Sequence, residues 1–146
     1  MPLHLIKLCV GVEDIGHLRE LQASRLQAAH DAGQPPLLQH ITRMTPRRRD
    51  ELLDGGSLYW VIKGRVQARQ NLLDIISFTD GEGIKRCRLV LGHKLIPVRP
   101  QPRRAFQGWR YFEAADAPGD LTGAKEDAED EIPPQMLAEL SEMGLL

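Results

Sequence analysis

Arg47, Arg48 and Arg49 open a series of cationic groups that continues with Lys63-Arg65-Arg69, Lys85-Arg86-Arg88 and Arg99-Arg103-Arg104-Arg110. Arginine dominates these groups, and its planar fork grips a phosphate through two parallel hydrogen bonds and stacks on bases. Tyr59, Trp60, Trp109 and Tyr111 lie in two segments that read as strands, flanked by Lys63 and Arg110. Surfaces for single-stranded nucleic acid combine such charge with aromatic platforms, and RNA readers stack splayed bases on such rings. The residue types therefore nominate a nucleic-acid site. Arg47, Arg48, Arg49, Arg103 and Arg104 would hold phosphates, and Tyr59 or Trp109, with Lys63, Arg69 and Gln70, would hold a base beside Arg110. The competing explanation is an ordinary amphipathic sheet, in which alternating charges form a solvated face and Trp60 shares the buried side of Leu58 and Ile62.

Other chemistries find less support. The glycines of "DELLDGGSLYW" follow a helix instead of preceding one, so they cap its negative end and cannot cradle a phosphate. No G-x-S-x-G nucleophile elbow occurs. Cys9 and Cys87 lie in apolar segments and are expected as free, buried thiols. His4 and Cys9, five apart on a strand, point to opposite faces. Asp50 and Asp54 are four apart on a short helix and face the arginines. The histidines are scattered, without metal-ligand spacing. No catalytic residue, metal ligand or cofactor is assigned.

The elements that would position these groups follow from periodicity. Residues 3–10 read as a buried strand, and Asp14 opens a helix to about Ala32. In it Ile15, Leu18, Leu21, Leu26 and Ala29 form an apolar stripe, while Arg19, Glu20, Gln22 and Arg25 face water. After a strand over 38–44, Thr45-Pro46 starts a helix of roughly nine residues that ends at Gly55. Strands over 57–63 and 65–78 follow, with Gly64 as a bulge or bend and Val66, Ala68 and Gln70 alternating on one side. After a turn at 79–83 come strands over 84–91 and 94–98, a basic loop, and a closing strand over 108–112. The expected fold is α+β: one long and one short helix on a mostly antiparallel sheet of five to seven strands, or on a small barrel.

Residues 1–112 read as one domain, residues 113–131 as an acidic flexible linker, and residues 132–146 as a short amphipathic helix carrying Met136, Leu137, Leu140 and Met143. The net charge of −1 conceals a strong division. Residues 1–112 hold 18 Lys+Arg against 10 Asp+Glu, and residues 113–146 hold one lysine against ten acids. A basic body with an acidic tail points to an anionic partner, or to a tail that competes for the same surface. No run approaches a membrane span, and the N-terminus lacks the order of a signal peptide. A cytoplasmic location is expected.

Three segments, "LHLIKLCVG", "LLDGGSLYWVIKGRVQARQ" and "RRAFQGWRY", together resemble an uncharacterised bacterial family, domain-of-unknown-function family 1489, over about residues 3–120. That resemblance implies no activity, cofactor or site residue. A looser pattern is similar to the start of PUA-like and ASCH-type barrels: a short helix ending in glycines, then strands carrying "IKG" and "ARQ". It implies a small barrel with helices packed against it and a cleft of the kind that binds RNA or modified bases. Gln67 stands where ASCH-type sequences often carry an acid, which argues against their enzymatic activity. The resulting expectation is an RNA-binding module. The alternatives are a small enzyme acting on an anionic metabolite or nucleotide, and a protein-interaction module that uses the C-terminal helix.

Overall fold

Seven apolar runs become strands and two segments become helices in the computed structural model, which describes residues 2–121. The elements are β1 (Leu3–Leu8), α1 (Ile15–Asp31), β2 (Leu38–Thr42), α2 (Arg49–Leu53), β3 (Ser57–Ile62), β4 (Arg65–Thr79), β5 (Lys85–Leu91), β6 (Ile96–Pro102) and β7 (Trp109–Glu113). The expected C-terminal helix and most of the acidic linker lie outside the described residues. The fold is α+β, with one sheet in the order β2-β5-β4-β3-β1-β7 and β6 paired to β4 beside that path. Only β1 and β3 run parallel; the other named pairs are antiparallel.

The Asp14 side chain caps α1 by accepting from the His17 amide at 2.7 Å. Leu18, Gln22 and Leu26 are the helix residues buried against the sheet. Gln22, expected to face water, sits four residues from each of those leucines and so falls on the same stripe.

Lys63 and Gly64 both have positive φ, 51° and 77°. They form the two-residue loop of a tight hairpin between β3 and β4, not a bulge within a strand. The bulge lies three residues later. Trp60 pairs with Ala68 and Val61 with Val66, leaving Gln67 over. Val66 therefore joins one core cluster while Ala68 joins the other, correcting the expectation that both share a side. A second irregularity leaves Leu73 unpaired between Leu72 and Asp74. These two bends let the 15-residue β4 give one edge to β3 and the other, in succession, to β6 and β5.

The backbone ladder does not close into a barrel; the sheet stays open. Side chains of the edge strand β7 cross the gap. Trp109 Nε1 donates to the Met44 carbonyl at 2.8 Å, and Tyr111 Oη accepts from the Arg47 and Arg48 amides at 2.9 and 3.1 Å. This bridge explains why α2 is shorter than its sequence suggests. The amides that a cap at Thr45 would serve are held by Tyr111, and Thr45 Oγ1 instead accepts from Ser77 Oγ at 3.0 Å. The helix begins only at Arg49.

Two apolar clusters occupy opposite faces of the sheet. The larger joins Leu5, Leu58, Trp60 and Ile62 to α1 and to Leu89 of β5. The smaller contains Ile6, Tyr59, Val61, Val66, Val98 and Phe112. The packed body continues past residue 112, where the linker was expected to begin. The Arg99 amide donates to Gly119 O at 2.9 Å and the Leu121 amide to Pro97 O at 3.1 Å, so residues 119–121 lie along β6.

Candidate functional site

The sequence-nominated residues divide into four environments. Tyr59 and Gln70 are buried, at 4% and 0% exposure, which removes both from any solvent-facing platform. The Tyr59 ring lies edge-on to His4 and Phe112, at 4.9 and 5.2 Å between centroids. Its strand position faces the smaller core, and Val98 of β6 and Phe112 of β7 cover it. Burial pushes the Tyr59 hydroxyl pKa up and the His4 pKa down. His4 Nδ1 accepts from the Ser57 amide at 2.9 Å, which suits a neutral ring.

A second set is cationic and already paired. Arg69 forms a two-pronged bridge to Asp120, Nε and Nη2 each 2.7 Å from a carboxylate oxygen, and also donates to Ser57 Oγ at 2.8 Å. That carboxylate raises the Arg69 pKa. Arg48 binds Glu51 through both prongs and lies 3.7 Å from Glu113. Arg49 reaches Asp74 at 2.5 Å and Ile75 O at 3.0 Å. Lys63 pairs with Glu13 at 3.0 Å.

Arg103, Arg104 and Arg110 behave differently. All three are exposed and, among the described residues, none forms an ion pair. The Arg103 guanidinium lies 4.9 Å from the Phe112 ring centroid, and that of Arg110 lies 5.0 Å from Phe106. The Arg103 amide donates to Gly64 O at 2.9 Å, which fixes the start of the β6–β7 loop against the β3–β4 hairpin. A guanidinium resting on a ring keeps its edge donors available. Arg47 is exposed but stands apart, on the segment before α2. Trp109 is half-buried and committed to Met44 and to an edge-on contact with Tyr111 at 5.0 Å.

The fourth environment surrounds Gln70. Its Oε1 accepts from Gln22 Nε2 at 2.7 Å and from Trp60 Nε1 at 2.8 Å. Its Nε2 donates to Gln22 Oε1 at 2.9 Å and to Gly92 O at 3.0 Å. Every hydrogen-bonding position of the Gln70 amide is used, as a group with no exposure requires.

Beside this amide pair lies a cavity of about 140 Å³ between the end of β1, α1 and β2. Its polar lining includes Lys7, Gln22, Arg25, Gln39 and His40; Cys9 and Trp60 also contribute. No carboxylate lines it. The His40 ring stands edge-on to Trp60 at 5.2 Å, and its Nε2 is buried without a hydrogen-bond partner. Burial, helped by Lys7 and Arg25, pushes the His40 pKa down to about 4, so the ring is neutral at pH 7. Burial likewise lowers Lys7 and lifts the Cys9 thiol to about 11. Cys9 is therefore a protonated, unreactive thiol at neutral pH.

Sequence reasoning passed over this cavity. The signals were present: Lys7 occupies the same inward register as Leu3 and Leu5, and Gln22 interrupts an apolar stripe. What the sequence did not carry was the curl that brings β2 across to β1.

Neither the curated proteins nor the solved structures contain a match to the chain. A family model described as "Protein of unknown function (DUF1489)" matches residues 5–146. Among the described residues no helix is long and apolar enough to cross a membrane.

Proposed function

Because the chain belongs to the DUF1489 family, whose description names no activity, we propose from its geometry that it is a nucleic-acid-binding module with RNA as the preferred polymer. The phosphates are held by Arg103, Arg104 and Arg110. The observation that carries this reading is the contrast among the cations. Arg48, Arg49, Arg69 and Lys63 are each neutralised by a carboxylate, whereas the β6–β7 loop and the start of β7 present three arginines without one, two of them resting on phenylalanine rings. Such an arrangement orients the guanidinium fork at little entropic cost and leaves its donors for phosphate oxygens. Arg47 lends charge from a separate segment. With Tyr59 and Gln70 inside, base stacking falls to the half-buried Phe106 and to the guanidinium planes themselves.

The test is fluorescence anisotropy with single-stranded RNA, single-stranded DNA and duplex of equal length, at low and near-physiological salt. Replacing Arg103, Arg104 and Arg110 together by alanine should weaken RNA binding and reduce the log–log salt slope by about 2, near 0.7 for each lost phosphate contact. Arg48→Ala, which removes an already neutralised cation, should change little. Equal affinity for all three polymers that vanishes with salt would reduce the surface to generic charge and end the proposal.

A further inference from the structure

The cavity between β1, α1 and β2 gathers groups that a nucleic-acid surface on the β6–β7 loop does not use. Two of its features are costly without an occupant, and a third adds charge at its mouth. The buried His40 Nε2 has no partner, and an unpaired polar atom removed from water forfeits its hydrogen bond. Lys7 is half-buried and forms no ion pair among the described residues, and burial works against its charge. Arg25 likewise forms none, and its charge, with that of Lys7, acts on both Cys9 and His40. Two cations and an orphaned imidazole nitrogen thus converge on one space that no carboxylate enters.

We propose that this cavity binds a small organic carboxylate. Its head lies between Lys7 Nζ and the Arg25 guanidinium and accepts from His40 Nε2–H, and its short apolar body rests against the cavity's leucines and Trp60. The size of the space sets the ligand class. About 140 Å³ lies well below the roughly 300–1,000 Å³ of drug-sized sites, so a nucleotide is too large and a body of a few carbons or one ring fits. The wall chemistry excludes a bare phosphate. Leu18, Leu21, Leu38 and Leu91 line the space, and a dianion filling it would turn unsolvated oxygens onto them. A carboxylate places its two oxygens at one end only. Arg25 and Val10, both exposed, mark the mouth, and the buried Gln22, held by Gln70 behind it, forms part of the wall.

The site is independent of the nucleic-acid reading and is tested separately on the full chain. The histidine Cε1–H signals are followed by NMR during titration with butyrate, benzoate and, in a parallel arm, inorganic phosphate. Ligand is taken to about 10 mM at pH 7, enough to fill most of a millimolar site. The expected result is a saturable shift of the His40 signal alone, with butyrate or benzoate and not with phosphate. The His40 titration midpoint should also rise above its starting value of about 4, because an adjacent carboxylate favours the imidazolium. Lys7→Met, which preserves side-chain length, should weaken binding at least tenfold, and Arg103→Ala should leave it unchanged. A His40 signal that ignores both carboxylates, saturation by phosphate instead, or full affinity in Lys7→Met would each overturn the proposal. If Lys7→Met does not fold, Arg25→Gln, at an exposed position, decides the same question. A chain that binds carboxylate but no nucleic acid would defeat only the reading of the preceding section.

Discussion

At the scale of single residues, buried polar groups decide more than the exposed charges that first attract notice. Gln70 satisfies Gln22, Trp60 and Gly92 at once, so removing it leaves several buried groups unpaired. Gln70→Leu should cost on the order of 3 kcal/mol or more in urea unfolding. The double variant Gln22→Leu/Gln70→Leu should cost clearly less than the two single changes added, because it removes both halves of the amide pair. Additive costs would show that the pair is not coupled. His40 supplies a pH dependence of known sign. Its pKa falls from 6.5 to about 4 on folding, so between those values the unfolded chain binds more protons than the folded one. Stability is therefore intact above pH 6.5 and is lost as pH falls towards 4, by up to about 3 kcal/mol. In His40→Gln the fall over that window should be shallower; an unchanged slope would assign it to other groups, His4 among them. Little of this was legible beforehand. A glutamine four residues from two stripe leucines is visible in the sequence, but its partner lies 48 positions away, and the Asp120 that claims Arg69 lies 51 positions away.

At the scale of elements, local patterns were read well where short-range rules govern them and poorly where another element intervened. Asp14 capping α1, the shared inward face of Cys87, Leu89 and Leu91, and the closing strand at Trp109 all follow from periodicity and capping alone. The bulge at Gln67 does not, because it arises from the registers that β4 must keep with both β3 and β6. The late start of α2 does not either, since its cause is a tyrosine more than sixty residues downstream. The glycine after α2 shows how tightly these elements meet. A Cβ on Gly56 would lie 2.2 Å from Leu52 O and 2.3 Å from Leu3 O, both backbone atoms. The same residue donates its amide to Leu52 O at 2.9 Å and accepts from the Leu72 amide at 3.0 Å, so it cannot swing aside without breaking both bonds. Gly56→Ala should destabilise the chain by about 3 kcal/mol or more. The same change at Gly81, where a Cβ meets nothing within 4 Å, should cost far less, and chemical denaturation of the two variants side by side makes the comparison.

At the scale of the whole molecule, charge is distributed more unevenly than the fold is. Residues 2–121 carry 18 Lys+Arg and 13 Asp+Glu, while residues 122–146 carry one lysine and seven acids. Within the body Arg48, Arg49, Arg69, Arg86 and Lys63 are each held by a carboxylate, which leaves Arg103, Arg104 and Arg110, like Arg47, Arg65 and Arg99, exposed without an ion pair among the described residues. The last described residues run beside β6, through the contacts of Gly119 with Arg99 and of Leu121 with Pro97. Those contacts run antiparallel to β6, from Arg99 towards Pro97, so the described chain ends towards the start of that strand and not at the β6–β7 loop. The acidic residues that follow in sequence are covalently linked to the same body, which makes any screening of its arginines an intramolecular effect. Replacing Glu126, Asp127, Glu129, Asp130 and Glu131 by their amides in the full chain should tighten single-stranded RNA binding several-fold at low salt. The gain should shrink as salt rises and the Debye length contracts to about 10 Å near 0.1 M. The same amide substitutions in a chain that also lacks Arg103, Arg104 and Arg110 should bring a much smaller gain. Equal gains in both backgrounds would mean that the tail acts on the net charge of the molecule and not on this loop, and the β6–β7 arginines would lose their claim to be the surface that polyanions meet.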